Sequence, residues 1–158
     1  MKVVTGCDVV DVARLSAVAE RRAGFVARVF TDGEVADCER GGVRLDSPTG
    51  RARLAARFAA KEAARKAIGD LRLPFHAVEV RRAASGAPEL LLHGQATDWS
   101  CSLSHDGGVA IAVVVGATPA PTAPTAPTAP TAPTAPTAPT APTAPTAPTA
   151  PTAPTAPI

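Results

Sequence analysis

RARLAARFAAKEAARKAI, running from Arg51 to Ile68 and followed by Gly69, decides the fold. Ala, Leu, Arg and Lys are strong helix formers, and a glycine placed just past the last apolar residue supplies the left-handed conformation that ends a helix. A helix over 51–68 is therefore expected. At 100° per residue Ala55, Phe58, Ala59, Glu62 and Lys66 gather within about 100° of arc, with Glu62 and Lys66 near its centre. An acid and a base thus stand in the apolar stripe. Removing a carboxylate and an ammonium from water costs several kcal/mol per ion unless partners compensate them. Either the two form a surface i, i+4 pair on a wetter face, or they have chemical work to do.

Outward toward the N-terminus, residues 2–10 read as a strand, with Val3, Val4, Val9 and Val10 as β-branched bulk. Asp8 shares a strand face with Val4, Gly6 and Val10, a second acid among small and apolar neighbours. It is either a strand-edge carboxylate or one half of a metal site. Two carboxylates brought together repel unless a cation lies between them, and a short set of oxygen donors suits magnesium that keeps waters for a phosphate. Residues 12–29 read as helix, with Gly24 a possible break. Thr31 followed by Glu34 is a capping box opening a short helix over 32–40. Beyond the long helix, strands are expected near 76–83, 88–93, 99–104 and 109–115, separated by Ser85-Gly86, Gly94 and Asp106-Gly107-Gly108. A strand, then helices, then an antiparallel meander gives an α+β fold with the long helix on one face of the sheet.

The rest of the composition sets limits. Residues 1–118 form one domain, and 119–158 form a Pro-Thr-Ala repeat with proline at every third position from Pro121 to Pro157. That spacing matches the three residues per turn of polyproline II and offers little apolar area for a core. The repeat is expected to be disordered or extended, a spacer of roughly 100 Å at ~3.1 Å per residue, a ligand for a Pro-binding domain, or a glycosylated segment. The start of the chain lacks the apolar run of a signal peptide, so a cytoplasmic location is expected. The longest apolar run, Val109–Val115, is seven residues and too short for a membrane helix. Cys7, Cys38 and Cys101 are odd in number and widely spaced, which favours reduced packing residues over disulfides or zinc. The net charge of +2 conceals +3 over 12–30 and +5 over 51–66, two basic surfaces suited to phosphate or an acidic protein.

Ser102-Leu103-Ser104-His105-Asp106 ends a strand in hydroxyls and an imidazole, which bind phosphate or ribose or simply build a turn. No Walker loop, Gly-x-Ser-x-Gly elbow, His-Glu-x-x-His or dinucleotide fingerprint is present. Four segments in order nevertheless resemble one family. These are Gly6-Cys7-Asp8-Val9-Val10-Asp11, Arg57-Phe58-Ala59-Ala60-Lys61-Glu62-Ala63 with Lys66, Gly86-x-Pro88-x-Leu90-x-Leu92-x-Gly94-x-Ala96, and Ser102 to Asp106. The family is holo-acyl-carrier-protein synthase, the small bacterial 4′-phosphopantetheinyl transferases. The likeness runs from residue 2 to about 116; Cys7 stands where an aliphatic residue is commoner, and the repeat has no counterpart.

The resemblance implies that the 4′-phosphopantetheine arm of coenzyme A passes to a serine of an apo acyl carrier protein of fatty acid or polyketide synthesis, releasing adenosine 3′,5′-bisphosphate. It implies Mg2+ on Asp8 and Glu62, with Glu62 as the base, directly or through a water. Lys66 would contact the phosphates, Arg57 and His105 the nucleotide, and Asp106 would orient His105 or the pantetheine. Glu62, Lys66 and His105 are thus the catalytic candidates. A homotrimer with sites between subunits is implied as well, and neither nucleic acid nor membrane is an expected partner. Arg14, Arg21 and Arg28 share a helix face with Val18 and Phe25, flanked by Arg22. Apolar residues exposed among charges suit a docking site for the acidic carrier. Two other readings use the same residues: a metal-dependent nucleotide phosphodiesterase, and a non-catalytic interaction module whose Pro-rich tail recruits partners.

Overall fold

The computed structural model describes residues 1–118; the Pro-Thr-Ala repeat, with the spacer expected there, lies outside the described residues. Strand β1 (Lys2–Asp11) leads into α1 (Val12–Arg21), capped by the Asp11 carboxylate on the Arg14 N–H at 2.8 Å. Gly24, at φ 72°, separates α1 from α2 (Phe25–Val29), so the helix expected over 12–29 is two pieces. Helix α3 (Asp32–Glu39) opens on the expected capping box. The Thr31 hydroxyl accepts the Glu34 N–H, and the Glu34 carboxylate accepts the Thr31 N–H. The long helix α4 (Pro48–Ile68) begins three residues earlier than the alanine run, because Ser47 caps Gly50 and Pro48 fits the first turn. It ends where the left-handed Gly69 turns the chain.

A 3-10 turn at Phe75–Ala77 precedes β2 (Val78–Arg82), β3 (Pro88–Leu92), β4 (Gln95–Ala96), β5 (Ser100–Asp106) and β6 (Val109–Thr118). These strands do not make a single meander. The first strand pairs antiparallel with the last along its whole length, Lys2 opposite Thr118 and Asp11 opposite Val109, giving a sheet ordered β1-β6-β5. A second sheet, β2-β3-β4, is separate. Alternation along β6 sorts the faces: Ala110, Ala112 and Val114 are buried against α4, while Val109, Ile111, Val113 and Val115 face outward and are about 40% exposed.

Helix α4 is covered on most sides. Ala55, Ala59, Ala60, Ala63 and Ala64 are fully buried, and the small side chains let strands approach closely. At Gly6 the approach is closest, since a Cβ there would lie 1.9 Å from the Ala63 carbonyl oxygen. The wheel placed Glu62 and Lys66 at the centre of the buried stripe; the structure puts them at its margin, with Glu62 half-buried and Lys66 exposed. The charge in the true centre is Lys61, wholly buried. Its ammonium donates to Glu34 at 2.7 Å, to the Phe75 carbonyl at 2.9 Å and to the Val78 carbonyl. Glu34 in turn accepts the Val80 N–H at 2.9 Å. Burial pushes the Lys61 ammonium below the ordinary lysine range, and Glu34 opposes that shift.

Candidate active site

Three expected residues meet where β1 crosses α4. Asp8 lies two residues along from Gly6 on the same strand face, so the backbone contact at Ala63 fixes its height beside the helix. Lys66 donates from its ammonium to Asp8 Oδ1 at 2.7 Å and to the Cys7 carbonyl at 3.1 Å. One turn back, Glu62 accepts from Arg65 Nη1 at 2.7 Å through Oε1. The Arg65 guanidinium is held over the Phe75 ring at 4.4 Å and is 11% exposed. Asp8 and Glu62 line one open cleft of about 610 Å³, whose walls also include Val10, Arg14, Leu15, Val18, Phe25 and Phe58. The acids and part of the expected docking helix therefore share one space. The bond to Asp8 holds Lys66 above the ordinary lysine range, which leaves it protonated and unsuited to act as a base.

The docking face needs one correction. Val18 and Phe25 are half-buried rather than exposed, and Phe25 packs toward Phe58 at 6.4 Å between ring centres. Gly24, in the left-handed conformation, breaks the helix ahead of Phe25, which packs against the cluster of Val29, Phe30, Cys38 and Leu54. Arg14, Arg21, Arg22 and Arg28 are exposed as expected.

Arg57 and His105 lie elsewhere in the chain. They line a second cleft of about 310 Å³ together with Arg40, Arg53, Arg81, Arg82 and Asp37. Asp37 is the acid there, 3.6 Å from Arg57 and bonded to Arg40 and to the Arg82 N–H. Burial raises its carboxyl, but the Arg82 N–H, Arg40 and Arg57 together overcome this and hold it below the usual range. Arg57 Nε is buried without a hydrogen-bond partner among the described residues, and its guanidinium also donates to the Arg53 carbonyl. Four of these arginines went unread in the sequence. Arg53 belongs to the basic run over 51–66, but Arg40, Arg81 and Arg82 come from segments whose pairing only the fold reveals. Asp106 accepts the Gly107 N–H of its own turn at 2.8 Å; the structure shows no bond from it to His105.

As a set, the first cleft offers Asp8 and Glu62 with room beside them, a third carboxylate, Asp11, that caps α1, and Lys66 one helical turn from Glu62. That donor set fits a hard divalent ion that keeps most of its ligands as water or phosphate. Among the described residues no group of three His, Cys, Asp or Glu side chains comes together, so a closed all-protein metal cage is not formed there. Of the cysteines, Cys38 is buried and Cys101 half-buried, both thiols pushed up to about 11 by burial. Cys7 is exposed on the outer sheet face and is not the packing residue expected. No described helix is long and apolar enough to cross a membrane.

Comparison with known proteins identifies the family. Residues 5–114 match the 4′-phosphopantetheinyl transferase superfamily. A holo-[acyl-carrier-protein] synthase of Frankia alni is 43% identical over 120 residues, covering 70% of this chain and 92% of that protein. One from Chlorobaculum parvum is 38% identical over 116 residues, covering 70% and 94%. Among solved structures, the holo-(acyl-carrier-protein) synthase of Bacillus anthracis in complex with CoA (3′,5′-ADP) superposes with a TM-score of 0.59 at 29% identity, covering 71% of this chain and 93% of that one. The Helicobacter pylori enzyme in complex with coenzyme A gives 0.56 at 29% identity, covering 70% and 96%. The chain belongs to the holo-acyl-carrier-protein synthase family of that superfamily.

Proposed function

We propose that this chain transfers the 4′-phosphopantetheine moiety of coenzyme A to a serine of an apo acyl carrier protein. The observation that carries the reading is that Asp8 and Glu62 line one cleft with Arg14 and Val18, while Lys66 pairs with Asp8 at 2.7 Å. Asp8 and Glu62 would hold Mg2+, which supplies charge neutralisation at the pyrophosphate. Glu62, directly or through a water, takes the proton of the carrier serine. The serine oxygen forms the new bond to the phosphorus next to pantetheine as the anhydride bond breaks, and adenosine 3′,5′-bisphosphate leaves. Lys66 stays charged and contacts the phosphates as a point charge.

Arg57 and His105 line a different cleft from Asp8 and Glu62 within one chain, while the outer face of β6 is apolar and exposed. Both facts support a homotrimer in which the basic cleft of one copy completes the acidic cleft of another. Mixing Asp8→Ala subunits with His105→Ala subunits then restores a measurable fraction of transfer that neither shows alone; no recovery places all four residues in one chain's site. The exposed arginines at 14, 21, 22 and 28, with Val18 and Phe25 beneath them, are the proposed carrier surface. The activity resides in 1–118, in the cytoplasm, and the repeat from 119 to 158 serves as a spacer.

The direct test incubates the protein with coenzyme A, Mg2+ and apo carriers of fatty acid and polyketide type, read by intact mass. The carrier gains one phosphopantetheine, and Asp8→Ala or Glu62→Ala abolishes that gain while the fold persists. Release of adenosine bisphosphate without any carrier would instead mark a phosphodiesterase. Absence of product with every carrier would leave a binding module.

A further inference from the structure

Asp8 and Glu62 each already have a cation on them. Those cations differ in how firmly they are held. Arg65 is pinned: its face lies on Phe75, its Nε is buried, and only Nη1 reaches Glu62, touching Oε1 alone. Lys66 is not pinned. Its side chain is 44% exposed, its four-carbon stem rotates, and its contacts are Asp8 Oδ1 and the Cys7 backbone carbonyl. The ammonium therefore takes up Asp8 Oδ1 and places a full positive charge a few ångströms from any metal ion that bonds to the same carboxylate, so the two cations compete for it.

We propose that Lys66 is a stand-in cation, occupying the metal's place on Asp8 until a divalent ion arrives and then moving its charge onto the substrate phosphates. The inference rests on the metal and phosphate assignments made above. In the free protein Lys66 neutralises Asp8 and so depresses metal affinity. In the loaded protein the same ammonium gains a phosphate in exchange for the carboxylate it gives up. Metal and coenzyme A then favour each other's binding, because each removes the other's competitor. Arg65 does not take part in this exchange; it positions Glu62 with one oxygen tied and the other open.

The test reads binding, not turnover. Mn2+ is titrated into the full chain without coenzyme A, and free aqueous Mn2+ is counted by electron paramagnetic resonance. Lys66→Gln binds Mn2+ roughly tenfold more tightly than the wild type, as expected for removing a unit charge a few ångströms from a divalent ion at a partly solvated site. Lys66→Arg keeps the charge and stays within about threefold of wild type. Calorimetry with coenzyme A in chelator supplies the second arm. There Asp8→Asn, which frees Lys66, binds coenzyme A as well as wild type or severalfold better, whereas Lys66→Gln loses roughly tenfold. Unchanged or weaker Mn2+ binding in Lys66→Gln overturns the exchange, and so does loss of coenzyme A affinity in Asp8→Asn, which would make the pair a scaffold. If Asp8→Asn binds Mn2+ like wild type, the assignment of Asp8 as a metal ligand falls, and the exchange falls with it.

Discussion

Helix α4 carries Lys61 and Lys66, and each meets a carboxylate at 2.7 Å. By distance the two pairs are the same. Lys61 and Glu34 are 0% exposed, every ammonium donor is used, and Glu34 also closes the backbone N–H groups of Thr31 and Val80. Lys66 and Asp8 are 44% and 18% exposed, and solvent reaches both. The contrast teaches that pair geometry does not say what a salt bridge is for. Full burial makes a pair permanent, because separating it strands a charge in low dielectric; partial exposure makes it exchangeable, because water covers the loss. One helix thus uses the same chemistry to lock α3 and β2 in place and, in the exchange proposed above, to hold a cation ready beside Asp8.

The sharpest way to break this contrast is to cut the buried pair. Glu34→Ala leaves the Lys61 ammonium and two backbone N–H groups without their acceptor, and is expected to cost ~3–5 kcal/mol in urea unfolding. Lys61→Met should cost a similar amount for the opposite charge. Combining Lys61→Met with Glu34→Gln removes both charges while retaining an acceptor, and should recover part of the loss. A single-variant cost below about 1 kcal/mol would mean water enters the site, and the two lysines would then not differ in kind.

An intermediate case sharpens it. Asp37 is 10% exposed, bonded to the Arg82 N–H and to Arg40, and faces Arg57. Asp37→Asn keeps the shape and is expected to cost roughly 1–3 kcal/mol at neutral pH. Because the folded carboxyl is held below its ordinary value of 3.8, its contribution is present above that pH and disappears as pH falls through the folded value. Unfolding curves of wild type and variant should therefore converge in acid. A gap that persists at low pH would assign the loss to packing.

What was legible in the sequence follows the range of the interactions. The Thr31–Glu34 cap and the Gly69 stop are local and read directly. Asp8, Glu62 and Lys66 stood out as charges among apolar neighbours, and the resemblance supplied their common site. The orientation of α4 was not legible, because alanines on nearly every face leave the wheel without a clear stripe. Lys61 escaped notice for the same reason, and because Glu34, already accounted for as a cap, uses the same carboxylate to reach the lysine. Splitting into two sheets depends on β1 choosing β6 across the whole domain, a non-local pairing that alternation within strands does not reveal. The basic cleft was hidden likewise, its arginines arriving from the residue that follows α3, from α4 and from β2.

The smallest expected stability change belongs to the exposed pair. Lys66→Gln should cost under about 1 kcal/mol, since side-chain entropy and solvent screening consume most of the attraction between groups this exposed. The bond to Asp8 raises the folded value of Lys66 above 10.5, so the contribution is fully present below that pH and is lost only as pH rises through the folded value. Across the neutral range the wild type and variant should run parallel, and added salt should close the small gap. Transfer, in contrast, should fall by roughly a hundredfold or more, because a cation aimed at a phosphate that gains charge acts in the transition state rather than in folding. Lys61→Met reverses the ranking, with most of its effect in the unfolding midpoint and little in the rate of molecules that remain folded. If Lys66→Gln destabilises the chain by as much as Lys61→Met does, exposure is not what separates the two pairs, and Lys66 belongs to the scaffold.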